Sequence, residues 1–184
     1  MLRASRILSQ TLRSLRSISS SAASRGVAHP EHKYQALVTW TGAEKGPAVD
    51  YNTYSREWRA EIPGKIVLHG SSDPAFKGDP SLHNPEDMML LALSTCHMLS
   101  YLSLCVRSKF RVIAYVDQPT GVMHHTGSTF QFKEVTLHPR VMIAHDQGVD
   151  KAAAAKLHEK AHGVCFIAQS VNFPVRCVPT IDFQ

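Results

Sequence analysis

Cys96 and Cys165 are the residues of this chain whose setting best suits thiol chemistry. Cys96 lies in the uncharged stretch opened by Asn84-Pro85-Glu86, and Cys165 follows a His-rich helical segment 69 residues later. One helix presenting a thiol, and a second helix ending near another, supply the parts of a reversible disulfide cycle. Only the thiolate is a strong nucleophile, and apolar surroundings oppose its formation, so Cys96 needs a cation nearby. Arg56 is the best candidate, because an arginine on an aromatic-lined strand face is costly to cover unless it is paired. Glu86, at the helix start, is available as its anionic partner. Ten helical residues rise about 15 Å, so Glu86 cannot itself touch Cys96. Arg56 must bridge the two, or one of the three must come from another subunit.

The remaining thiols and imidazoles read differently. Cys165, taken alone, suits a structural or a reactive role equally. Cys105 is about half a turn out of phase with Cys96 and reads as core, as does Cys177 beside Val175 on its strand. His158-Glu159-Lys160-Ala161-His162 has the HExxH spacing that sets two imidazoles one helical turn apart. Only 22 residues follow His162 to supply a third ligand. A metalloprotease is therefore disfavoured, and a noncatalytic metal site stays open. His124-His125 falls in an expected solvated turn.

The elements that must position these groups follow from periodicity and turn chemistry. Strands are expected over 34–41, 51–60 (with Tyr54, Arg56, Trp58 and Ala60 on one face) and 65–69. The 14-residue connection from Gly70 to His83 is long enough to suggest a functional loop. Asn84 suits an N-cap, Pro85 the first helical position, and Glu86 and Asp87 the positive end of the dipole; the helix should end near 107–109. Strands at 112–117 and 129–138 should form a hairpin across a 121–127 connection. A second helix should run from Asp150 to about His162 with Gly163 as its cap, and a last strand should span 173–181. Blocks of strands between two helices indicate an α+β fold.

The chain also divides into a leader and a body. Residues 1–30 hold five arginines, eight serines and no acidic residue. That is the composition of a mitochondrial or plastid transit peptide, with a processing point in 16–20, and the mitochondrial reading predicts a matrix location for a domain over 31–184. The body carries fifteen basic and fifteen acidic residues, a formal net charge of 15 − 15 = 0. A neutral body gives no support to nucleic-acid binding. Residues 88–106 form a 19-residue uncharged run, near the minimum for a membrane span. Its serines, threonine and histidine, with strands on both sides, favour a buried core helix over a span.

Asn84-Pro85-Glu86 ten residues before Cys96, the block Ser94-Thr95-Cys96-His97-Met98-Leu99, Gly70-Ser71-Ser72-Asp73-Pro74, Gly78-Asp79, and a second Cys after an Ala/His-rich helix resemble the OsmC/Ohr family of organic hydroperoxide reductases. The similarity spans about 33–181 and looks most like the OsmC-like branch. The resemblance implies an intertwined homodimer of two main helices and antiparallel sheets, with active sites at the subunit interface and no cofactor. It implies that Cys96 attacks the hydroperoxide and that Cys165 resolves the sulfenic acid. An arginine held by a glutamate would activate the thiolate, which maps onto Glu86 by motif and onto Arg56 by its place in the second strand, with Arg59 as the fallback. His97 replaces the apolar aromatic that better-known members carry. The expected reductant is a dithiol, dihydrolipoamide, reaching a disulfide lined by Met88, Met89, Leu93 and Phe166. The alternative is a noncatalytic protein of the same fold that holds a metal or small ligand through His and Cys.

Overall fold

The computed structural model describes residues 30–144 and 150–184. The leader expected over 1–30 therefore lies almost wholly outside the described residues. Residues 30–35 are exposed and carry no regular structure. The compact unit runs from Ala36 to Gln184.

Two helices carry the site. Helix α1 spans Pro85–Arg107, and its start is fixed twice over. The Asn84 side chain accepts from the Asp87 amide at 2.7 Å, and the Asp87 carboxylate accepts from the Asn84 amide at 3.3 Å, a reciprocal capping box behind Pro85. The helix stops where the Ser108 amide turns back to the Leu104 carbonyl at 3.0 Å and Lys109 takes a φ of 62°. Helix α2 spans Lys151–Val164, capped by the Asp150 carboxylate on the Ala152 and Ala153 amides. It runs two residues beyond the expected end at His162, since Gly163 stays helical and Cys165 closes it.

Among the described residues nine strands make three sheets, each three strands wide. Strands β1 (Leu37–Trp40), β2 (Trp58–Glu61) and β3 (Leu68–Gly70) form an antiparallel sheet. Strands β4 (Val112–Val116), β7 (Arg140–Ile143) and β9 (Thr180–Phe183) form the second, and β5 (Thr120–His125), β6 (Phe130–Leu137) and β8 (Val175–Cys177) the third. Pairs β6/β8 and β7/β9 are parallel, so these two sheets are mixed. The α+β expectation holds, with parallel edges added.

Three local expectations are corrected. The second strand begins at Trp58, because Asp50 captures the preceding segment in a turn: its carboxylate accepts from the Asn52 amide at 2.7 Å and its carbonyl from Tyr54 at 3.2 Å. The 121–127 connection is itself strand β5, and the hairpin is β5/β6, turned at Gly127 with φ 86°; β4 instead joins β7 in another sheet. The last strand is two strands, β8 and β9, because Pro179 interrupts the ladder and the chain steps from one sheet to the next.

The core has two parts. Tyr101 and Cys105 of α1 meet Ala154, Leu157 and Ala161 of α2 over Val141, Ile143 and Ile181. Alanines at 154 and 161, two turns apart, let the helices approach closely. Leu93 packs with Val135 and Leu137 in the second cluster. Neither cluster draws a buried residue from the β1–β3 sheet. Helix α1 is buried along one stripe only: Leu91, Leu99 and Val106 are exposed, and 22% of its most apolar window, of mean hydropathy 1.7, is covered. This helix is long and apolar enough to cross a membrane, a test that the core helix of a soluble protein also passes.

Candidate active site

The structure brings Cys96 and Cys165 together. Cys96 is half-buried in the middle of α1, Cys165 is fully buried at the C-cap of α2, and both are free thiols. Burial, and then a hydrogen bond to the Cys96 sulfur, push the Cys165 thiol up to about 11, while amides at Ile167 and Ala168 oppose that rise. Cys165 is therefore a protonated thiol at neutral pH, with its neighbour as its partner.

Arg56 and Glu86 lie elsewhere within the single chain. The Arg56 guanidinium donates to the carbonyls of Tyr54 and Tyr51 and sits 3.8 Å and 4.9 Å from those ring centroids. It thus has the aromatic surroundings expected, though the segment is a loop rather than a strand face. Among the described residues it has no carboxylate partner. Glu86 stands in the first turn of α1 and lines a different cleft with Asp73, Phe76 and Met123. Arg59, the fallback, is paired with Glu61 at 3.1 Å. Of the residues expected beside the thiols, Phe166 is 80% exposed and available, whereas Leu93 is fully buried in the core and lines nothing.

A second constellation was not expected from the sequence. Cys177 is half-buried and packs with Val175 against the Leu93 cluster, as its place on the strand suggested, but its sulfur also meets two imidazoles. Its sulfur lies 3.5 Å from His97 Nε2 and 3.8 Å from His158 Nδ1, and those two nitrogens are 3.0 Å apart. Burial is the main reason that His97 falls to about 4 and His158 to about 3, so both are neutral at pH 7. Burial and then Asp117 push Cys177 up to about 12. The HExxH spacing singled out His158, but its partners are His97 and Cys177 rather than His162. Sequence distance hides the triad, since helix α1, helix α2 and strand β8 each contribute one member.

Known proteins agree with this architecture. The family model for OsmC-like proteins matches residues 78–178. An uncharacterized protein, YmaD, of Bacillus subtilis is 29% identical over 110 residues, which is 59% of this chain and 73% of that protein. A solved OsmC-like protein of unknown function from Vibrio cholerae is 28% identical, with a TM-score of 0.74 over 81% of this chain and 99% of its own. An organic hydroperoxide resistance protein from Elizabethkingia anophelis shares the fold at 17% identity, with a TM-score of 0.61 over 85% of this chain and 99% of its own.

Proposed function

The chain belongs to the OsmC-like protein family, and from that premise we propose that it reduces organic hydroperoxides to alcohols with Cys96 as the attacking thiol and Cys165 as the resolving one. The observation that carries the reading is the contact between the two thiols, one half-exposed and the other buried as a protonated S–H. In the first step the Cys96 thiolate attacks the outer peroxide oxygen of ROOH. The O–O bond breaks, its electron pair leaves with RO⁻, which takes a proton to become ROH, and Cys96 becomes a sulfenic acid. In the second, the Cys165 sulfur attacks the Cys96 sulfur, water leaves with the Cys165 proton, and a disulfide forms. A dithiol reductant then restores both thiols by exchange and is itself oxidised to a disulfide.

The reading includes a homodimer. A sheet that contributes no core residue and a helix with an uncovered apolar face are what two copies would bury against each other. Such packing would carry Arg56, which has no carboxylate partner among the described residues, toward the Cys96 and Glu86 of the second copy. A guanidinium there favours the thiolate, and Glu86 would orient it. The basic, acid-poor leader supports a matrix location, where dihydrolipoamide is the proposed dithiol. The test is to add cumene hydroperoxide to the reduced protein and follow free thiols. Rapid loss of two thiols per chain, with a Cys96–Cys165 disulfide in the peptide map, is the expected result. Thiols that stay inert to hydroperoxide in folded protein would reject the enzyme and leave a binding protein.

A further inference from the structure

The His97, His158 and Cys177 triad lies outside the peroxide chemistry and offers three donor atoms to one point. We propose that His97 Nε2, His158 Nδ1 and Cys177 Sγ bind a single zinc ion, with the fourth position open to the cleft beside α2.

The donor spacing carries the argument. With Zn–N near 2.0–2.1 Å and Zn–S near 2.3 Å, tetrahedral angles put two nitrogens about 3.3 Å apart and each nitrogen about 3.5 Å from sulfur. The observed separations are 3.0, 3.5 and 3.8 Å. Two of them therefore need to change by about 0.3 Å, and the His97–Cys177 separation already matches. The rings meet nearly edge to edge, 9° from parallel, as an N–H···N pair. Zinc requires that the bridging proton move to the other nitrogen of the ring that carries it, that Cys177 release its proton to solvent, and that each ring turn its lone pair toward the sulfur side. Tyr101, stacked 3.7 Å from His158 at 12°, holds the plane in which that ring turns.

Charge and access agree with the spacing. Both imidazoles are 1–2% exposed, and each keeps one nitrogen, His97 Nδ1 and His158 Nε2, without a protein partner. Hydrogen bonds from the described protein residues alone thus leave the pair incompletely satisfied. A divalent ion, the Cys177 thiolate and Asp117 sum to 2 − 1 − 1 = 0. Asp117 is held in place by the Ser94 hydroxyl at 2.5 Å and the His138 amide at 2.7 Å, and its field reaches both His97 and Cys177. A cleft of about 460 Å³, lined by Glu159, His162 and Pro179, opens onto His158 and Cys177 and gives the ion an entry path. Two imidazoles and one thiolate suit zinc, and an open fourth position is characteristic of zinc sites that take water or a small ligand.

The test uses the full-length, reduced, chelator-treated protein titrated with Co²⁺ and then Zn²⁺. One equivalent of Co²⁺ should give intense visible bands and a thiolate charge-transfer band, both abolished by one equivalent of Zn²⁺. Cys177→Ser should lose the charge-transfer band. His158→Gln should weaken zinc by more than the roughly 10–100-fold that outer-sphere changes cost. The double variant Cys96→Ser/Cys165→Ser should bind as wild type. X-ray absorption of the zinc-loaded wild type, which depends on no variant, should show two nitrogens and one sulfur from protein. Loss of binding in the Cys96/Cys165 variant, a different sulfur count, or no stoichiometric uptake by folded wild type would each overturn the site. The peroxide reading stands or falls separately, because its assay needs only Cys96 and Cys165.

Discussion

The division of labour between the two thiols yields a quantitative prediction for single-turnover kinetics. With the Cys165 thiol near 11, only about one molecule in 10⁴ carries its thiolate at pH 7. An unperturbed cysteine near 8.5 is about 3% ionised there, roughly 300-fold more. The greater intrinsic nucleophilicity of a more basic thiolate recovers about a factor of ten, leaving Cys165 slower than free cysteine by roughly 20–30-fold. Its complete burial slows it further. Cys96→Ser also removes the hydrogen bond that helps raise Cys165, but desolvation, the larger cause, remains. The assay mixes reduced variants with excess cumene hydroperoxide at pH 7 and counts alcohol formed per chain, with a sulfenic-acid trap present. Cys165→Ser should complete one fast turnover and yield the trapped adduct at Cys96. Cys96→Ser should show no burst, and its residual rate should fall below that of free cysteine while rising about tenfold per pH unit from 7 to 10. A Cys96→Ser protein that reacts as fast as free cysteine at pH 7, or a Cys165→Ser protein with no first turnover, would refute the assignment.

Three further outcomes are expected. Arg56→Ala should slow thiol loss on adding hydroperoxide by about tenfold or more, one unit of thiol acidity being about 1.4 kcal/mol; Arg59→Ala, whose partner is Glu61, should change it little, and the reverse order would show the wrong arginine was chosen. Leu93→Ala should lower the unfolding free energy by about 2–5 kcal/mol in urea, since Leu93 is fully buried against Val135 and Leu137, and a loss under 1 kcal/mol would mean that this cluster collapses around the gap. In steady-state turnover dihydrolipoamide should outpace glutathione and thioredoxin at matched concentrations; faster recycling by thioredoxin would reject a slender dithiol arm as the preferred reductant.

The parts of the fold that were legible in the sequence are those fixed by local chemistry. Asn84, Pro85 and Asp87 specify the start of α1 because a capping box involves only residues within one turn, and Asp150 does the same for α2. The strand at 51–57 was misread because alternation there belongs to a turn that the Asp50 carboxylate holds, and an Asx turn leaves no mark on the hydrophobic pattern. Strand β7 was not foreseen, and β5 was taken for a connection. Strand β7 is decided by a partner 40 residues away, β9, whereas β5 pairs locally with β6 in a register that shifts between Val122 and Met123 and so breaks the alternation. Cys96 and Cys165 were found by motif. The His97, His158 and Cys177 cluster was not, because Cys177 reaches the imidazoles only after β8 docks parallel to β6.

The geometry of the two helices explains how three thiols near one another can have different chemistry. Along α1, Cys96 and His97 are successive residues and so point about 100° apart. Along α2, His158 and Cys165 are seven residues apart and so lie on nearly the same side, two turns removed. Packing one helix on the other therefore pairs Cys96 with Cys165 at the end of α2, and His97 with His158 in its interior. The first pair meets where the helix has ended, beside the exposed Phe166, and one sulfur keeps access to solvent. The second is walled by Tyr101 from α1 and by β8, which adds the third thiol, and opens only toward the cleft beside α2. A one-residue slip of α1 against α2 would break both pairs, placing either His97 and Met98 or Thr95 and Cys96 at the positions that Cys96 and His97 now hold. The close alanine contacts at 154 and 161 oppose such a slip, so the same packing that supplies stability also keeps the oxidisable pair apart from the imidazole cluster.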